Sequence, residues 1–360
     1  MRVTILLVSV ALLAPLGCST QSTTEPTLGD GVVDDVAVSA APINPRLLRR
    51  FQVVAGQGAG PEAAAPAVVE LGRMLWFEPR LSRDQTLSCN SCHDLQTWGV
   101  DGKAVSTGHQ GKQGRRNTPS VYNAGDRFVQ FWDGRAHTLE DQAPGPIHNP
   151  DEMALPAEEV ISRLAAIPEY RQRFDAAFGA PNSISMEHVA DAIAAFERGL
   201  VTTGRWDRYL AGDAAALAPA EIAGLRVFLN VGCVSCHTGP QVGASMFQTA
   251  GVMEPWPDQT DQGRFEITGK ATDKMVFRVP SLKNVAHTGP YFHDGSVVKL
   301  DDAIRRMARV QLGVPLDDDE VTALVAFLGA LSGDIPTTYI QKPALPPSSS
   351  TKGARIAGGK

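Results

Sequence analysis

The tightest constraint in this sequence is a five-residue pattern that occurs twice. Cys89-Asn-Ser-Cys92-His93 and Cys233-Val-Ser-Cys236-His237 both read C-x-x-C-H. Two thiols at this spacing can form thioethers to both vinyl groups of one haem, and the adjoining His can supply an axial nitrogen to its iron. A lone pair of this kind could also be a redox dithiol or half of a zinc site. Two copies, each followed at once by His, point instead to two covalently bound c-type haems. They use four of the five cysteines, which leaves no disulfide framework to build.

The fifth, Cys18, marks the compartment. Arg2 precedes an apolar run from Val3 to Gly17, broken only by Thr4, Ser9 and Pro15. That run is short of the roughly 20 residues that a spanning helix needs, and it reads as an export signal. Residues 1–18 are therefore expected to be a signal peptide with a lipobox, Cys18 becoming the lipidated first residue of a periplasmic, membrane-tethered protein. Pro15 stands where that motif usually has Leu; a soluble signal peptide is the alternative. Residues 19–45, rich in Ser, Thr, Pro, Gly and Asp, read as a flexible tether. With 33 Lys+Arg against 39 Asp+Glu and no long basic run, the charge excludes nucleic acid as a partner.

Between the ends, apolar spacing predicts helices over Ala67–Trp76, Glu158–Phe178 (interrupted by Pro168), Met186–Leu200 and Ala220–Asn230, the last opened by Pro219. Asp317 to Glu320 supply negative charge to the start of a further helix that runs to Leu331. Long stretches rich in Gly, Pro, Asn and Asp fill 94–156 and 238–300, and loops of that length usually serve function. Sustained strand alternation is absent. A helix, a cysteine pair, a long loop and a helix follow one another twice, so the expected fold is all-α with a weak internal duplication.

Each iron needs a sixth ligand. His109, His137, His148, His188, His287 and His293 are available, as are Met246, Met253, Met275 and Met307 beyond the second haem motif. Spacing alone does not choose among them.

The body resembles the bacterial di-haem cytochrome c peroxidases over nearly its whole length. The resemblance is carried by Leu71-Gly-Arg-Met-Leu-Trp-Phe77, Gly108-His109, Arg116-Asn-Thr-Pro-Ser120, Phe131-Trp-Asp-Gly-Arg135, Leu139-Glu-Asp-Gln-Ala143, Gly145-Pro146 and Glu152-Met153. Val279-Pro-Ser-Leu-Lys-Asn284, Pro290-Tyr-Phe-His-Asp-Gly295, Met307 and Gln311-Leu-Gly313 extend it. The resemblance implies two cytochrome-c-like haem domains with an interface between them. A low-potential peroxidatic domain would span 46–198 and a high-potential electron-transfer domain 199–334. Residues 335–360 would form a C-terminal tail whose first part packs back on the first domain.

It also implies roles. His109, sixteen residues after His93, would be the removable sixth ligand of the peroxidatic haem. Met307, fourteen residues after His293, would ligate the second iron, which demotes Met275 to packing. Related oxidases that modify a partner's tryptophans carry Tyr at that place. Trp132 would lie between the haems, Gln142 and Glu152 would handle peroxide, and Pro146 would line their pocket. A calcium ion would bridge the domains through the Asn117 side chain and the carbonyls of Thr288 and Pro290. The implied reaction reduces hydrogen peroxide to water with electrons from a small cytochrome or copper protein, in a homodimer. A di-haem electron carrier or redox sensor without peroxide turnover is the rival reading.

Overall fold

The computed structural model describes residues 43–54 and 64–347. The expected signal peptide with Cys18, most of the tether and the end of the tail fall outside them. Among the described residues, seven helices have eight or more residues: α1 (Pro66–Trp76), α2 (Ala157–Ala165), α3 (Pro168–Phe178), α4 (Met186–Arg198), α5 (Pro219–Val231), α6 (Leu300–Met307) and α7 (Asp318–Ala330). Pro66, Pro168 and Pro219 each open a helix, where the missing N–H costs nothing. Pro168 also forces the preceding Ile167 into an extended conformation, which separates α2 from α3. At α7 the Asp317 carboxylate accepts from the Glu320 amide while Glu320 reaches back to the Asp317 amide, a reciprocal cap.

Among the described residues two main hydrophobic cores form, each around one helix pair. In the first, Leu71, Met74 and Leu75 of α1 meet Val189, Ile193 and Phe196 of α4. In the second, Leu225 and Phe228 of α5 meet Leu324, Phe327 and Leu328 of α7, with Trp206 edge-on to Phe327. Each such side chain contributes about 1.5–3 kcal/mol when fully buried. The crossings repeat in detail. A Cβ on Gly72 would lie 1.8 Å from the Ala192 carbonyl oxygen and 3.0 Å from Phe196 Cβ. On Gly224 it would lie 1.9 Å from the Ala323 oxygen and 2.7 Å from Phe327 Cβ. Each glycine thus lets a helix meet an Ala-x-x-x-Phe face backbone to backbone, the same device in both cores.

Several expectations change. The fold is mostly helical rather than all-α: Phe247–Thr249 (β1) and Val276–Arg278 (β2) pair antiparallel. Three-residue strands with uniform burial have no alternation to read. The helix α6 was not foreseen either; at eight residues it is too short to hold itself and depends on what it packs against. Residues 46–54 belong physically with the second core, because Phe51 packs edge-on against Trp206 and the Arg50 carbonyl accepts from Gly239. At the other end Tyr339 stacks on Phe196, and Ile340 is buried in the first core.

The long loops are broken by short turns, including Leu139–Gln142 and Pro144–His148, and they bind each other. The Arg278 amide donates to the Trp132 carbonyl at 2.7 Å, and the Asn117 amide to the His293 carbonyl at 2.7 Å. Arg116 joins Asp133 and Asp261, at 2.5 and 2.6 Å, across the same seam.

Glu197, on α4, is buried, and its Oε2 has no partner. Burial pushes this carboxyl up to about 8, against the pull of Arg127 and Arg198 and with a push from Glu140. The folded state therefore holds this proton more tightly than the unfolded chain does. Stability associated with it is complete below about 4.5 and is lost as pH rises towards about 8, at about 1.4 kcal/mol per pH unit. Glu197→Gln is expected to flatten the pH dependence of the thermal midpoint across that window. An unchanged slope would show that the carboxyl ionises normally.

Candidate active site

Cys233, Cys236, His237 and Met307 line one cavity. Its wall includes Leu300, Ala303, Ile304 and Met307, the i, i+3, i+4, i+7 stripe of α6, so this helix spends its inner face on the cavity. A single π-helical turn, Ala308–Leu312, follows Met307 at once. Such turns are frequent at functional sites. His237 sits with Nδ1 3.2 Å from the Val242 carbonyl oxygen. A carbonyl can only accept, so Nδ1 carries the proton and Nε2 keeps its lone pair. Burial pulls this imidazole down to about 4, which keeps it neutral.

The first motif repeats the device. His93 Nδ1 lies 3.2 Å from the Gly99 carbonyl oxygen, and burial pulls the ring down to about 4. Burial also pushes the Cys89, Cys92 and Cys233 thiols up, the last to about 11. Redox dithiols need the opposite shift. Neutral, oriented imidazoles beside thiols that burial keeps protonated, with a thioether lining the same apolar cavity as one of them, fit covalently held haem.

Five of the other candidate ligands have contacts elsewhere. Met275 is buried among Trp132, Trp256, Phe277 and Val310. His188 stacks on Phe178 and His287 on Trp98, with centroids 3.8 and 4.2 Å apart. His148 Nδ1 lies 2.8 Å from the Leu155 carbonyl oxygen, and His293 stacks on Phe277.

Around the first haem motif, the His109 amide donates to the Glu152 carbonyl at 2.7 Å. Gly108 makes this approach possible, since a Cβ there would lie 1.9 Å from the Asp151 carbonyl oxygen. Glu152 is held by a fold-back of its loop. The Met153 amide donates to the Pro146 carbonyl at 3.1 Å, and the Glu152 amide to the Asn149 carbonyl at 3.0 Å. Burial raises the Glu152 carboxyl above its ordinary range, opposed by a 2.7 Å hydrogen bond from Asn149 Nδ2 and by the charge of Arg135. Gln142 ends the turn just before Pro146, but no hydrogen bond joins it to Glu152. Trp132 is nearly buried, donates Nε1–H to the Asn117 carbonyl at 2.9 Å and lines the cavity of the second motif (the second cavity).

Three residues in this region escaped the sequence reading. Asp84 Oδ2 lies 3.2 Å from His109 Nδ1, which ties down that ring and leaves Nε2 without a hydrogen bond among the described residues. Asn149 and Arg135 hold down the proton affinity of Glu152 against the larger effect of burial. Asp84 stands 25 residues from its partner with no motif around it, so only the fold could reveal the pairing. Asn117, Thr288 and Pro290 all line the second cavity. Asn117 Nδ2 is committed to the carbonyls of Lys103 and Ala104, which leaves Oδ1 to accept.

Comparison with known proteins converges on one family. The sequence model described as di-haem cytochrome c peroxidase matches residues 66–215. The cytochrome c551 peroxidase of Nitrosomonas europaea is 45% identical over 283 residues, covering 78% of this chain and 84% of that one. That of Pseudomonas aeruginosa is 44% identical over 289 residues, with 78% and 83% covered. Among solved structures, a MauG-like protein associated with microbial copper homeostasis superposes with a TM-score of 0.70 at 30% identity, covering 80% of this chain and 96% of that one. On this identity and coverage, the chain belongs to the di-haem cytochrome c peroxidase family, whose members are haem peroxidases carrying two c-type haems.

Proposed function

We propose that this chain reduces hydrogen peroxide to water beside Cys89, Cys92 and His93, and takes in electrons beside Cys233, Cys236, His237 and Met307. Residues 46–198 form the peroxidatic unit, apart from the opening segment 46–54 that packs on the other core, and 199–334 form the electron-entry unit. The observation that supports this division of labour best is the 2.7 Å bond from the His109 amide to the Glu152 carbonyl. It joins the segment that bears a removable ligand to the segment that bears an acid/base group, beside only one of the two C-x-x-C-H motifs.

When bound, the haems supply the iron that takes up peroxide and the electrons that reduce it. The protein supplies the rest. Glu152, its carboxylate destabilised by burial, accepts a proton from one peroxide oxygen and returns it to the other. Gln142 orients the peroxide through its amide and stabilises developing charge. Pro146 keeps the wall of the pocket rigid. His109, its ring held by Asp84, occupies the pocket in the resting enzyme and leaves it on activation. Trp132, fixed to the Asn117 carbonyl, lies on the path between the two halves. Hydrogen peroxide, two electrons and two protons give two waters.

A small c-type cytochrome or a copper protein is the donor, in keeping with the cytochrome c551 peroxidases that this chain resembles. Calcium binds at Asn117 Oδ1 and the carbonyls of Thr288 and Pro290; these oxygens accept no hydrogen bond among the described residues. The protein is periplasmic, tethered through lipidated Cys18, and works as a homodimer. If His109 is the gate, His109→Gly should turn over peroxide without prior reduction, whereas the wild type shows a lag until reduced. A variant that still needs reduction would refute the gate.

A further inference from the structure

Two guanidinium groups have no part in this scheme. Arg278, on β2, is 1% exposed. Its Nε donates to the Phe131 carbonyl at 3.2 Å, but Nη1 is buried without a partner. Arg127 donates from Nη2 to the carbonyls of Ser120 and Tyr122, and its Nε is likewise buried and unpartnered. Both side chains line the cavity that holds Cys233, Cys236, His237 and Met307. Neither forms an ion pair with a carboxylate among the described residues.

Buried charge is costly unless it is paired, and two cations in one cavity make the cost larger. The proton affinities register that strain. Burial, with the repulsion of Arg127, holds Arg278 well below the usual arginine range. Burial pulls Arg127 down to about 10, against the favourable charge of Glu197. Arg127 also reaches the other half of the molecule. Tyr122, whose carbonyl accepts from Arg127, donates its own hydroxyl to the Leu95 carbonyl at 2.6 Å, two residues after His93.

What would balance two guanidinium groups here is a pair of anions that arrives with the prosthetic group. A haem carries two carboxylates on one edge of its ring. Arginine suits them, because its planar fork can donate two parallel hydrogen bonds to one carboxylate. Resting on the di-haem reading above, we infer that Arg278 and Arg127 bind the carboxylates of the haem in the second cavity, and that Arg127 is a shared cation whose charge acts on both haems. Arg278 is thus a positioning residue of the second site alone, and Arg127 couples the two sites electrostatically.

The test is a spectroelectrochemical titration of both haems in the loaded protein, with haem counted by the alkaline pyridine spectrum. Removing a cation beside a haem favours its ferric form. Arg278→Gln should shift the reduced-to-oxidised ratio of the second haem at least tenfold towards the oxidised form, about 59 mV for a one-electron couple. It should leave the first haem unmoved. Arg127→Gln should lower both potentials. Arg278→Lys and Arg127→Lys, which keep the charge, should keep them near the wild-type values. Glutamine variants with two haems and unchanged potentials would overturn the inference while leaving the di-haem reading intact. A wild-type chain with fewer than two haems would instead sink that reading. Should the glutamine variants fail to load haem, the lysine variants decide. Loaded lysine variants with wild-type potentials support the inference. Lysine variants that also fail mean that the arginines serve packing, which overturns it.

Discussion

Glu152→Gln is expected to cut peroxide turnover by about 10²–10⁴, the usual contribution of a positioned acid/base group and equivalent to about 2.7–5.5 kcal/mol of barrier. Glutamine fills the same space and can keep a hydrogen bond with Asn149, so haem content and thermal midpoint should hold. The pH profile separates chemistry from packing. Burial is the largest influence on this carboxyl and raises it, while Asn149 and Arg135 pull the other way and Asp151 adds to the rise. A base must start ionised, so wild-type turnover should fall on the acid side, at a pH above the ordinary glutamate range. In the glutamine variant that acid limb should vanish and only a low, flat rate remain. Wild-type turnover in Glu152→Gln, or an acid limb that survives it, would remove Glu152 from the chemistry.

How far this site could be read before any coordinates existed follows from which interactions are local in the chain. The C-x-x-C-H pairs are local, and so are the helices with apolar stripes or an opening proline, such as α1, α5 and α7. The helix α6 has a full stripe, yet its eight residues are dominated to the eye by Asp301, Asp302, Arg305 and Arg306. Its stability comes from the packing of Leu300 and Ile304 against the second core, which no window of sequence contains. The β1–β2 pairing joins residues about 30 apart in strands too short to alternate. The same holds for the groups that tune the chemistry. Asp84 on His109, Arg135 near Glu152, and Arg127 facing Arg278 are meetings between distant segments. Resemblance supplied positions for His109, Glu152 and Met307. It could not supply the carbonyls of Gly99 and Val242, which set the tautomers of His93 and His237 through the backbone of any residue.

Met307→His is the second large effect expected, and it bears on the asymmetry between the two halves. Both halves have the same glycine-mediated helix crossing and the same carbonyl-held imidazole, so neither feature can make their potentials differ. On the proposed ligation, what would distinguish them is the second residue offered to each iron: His109 for the first, Met307 at the end of α6 for the second. A thioether favours ferrous iron relative to a second imidazole, and axial ligation is a main lever on a range of about 0.8 V among haem proteins. Met307→His should therefore lower the potential of the second haem towards that of the first. The half-reduced state would then lose its preference for the second haem, and turnover with a reduced small cytochrome should drop with it. The substitution stays on the inner stripe of α6, next to Ile304 and Ala303, so the cavity wall keeps its shape apart from one side chain. A redox titration that finds two unchanged potentials, with unchanged turnover, would mean that Met307 does not ligate the iron. Met275 is a poor substitute, since its side chain is already enclosed by Trp132, Trp256, Phe277 and Val310.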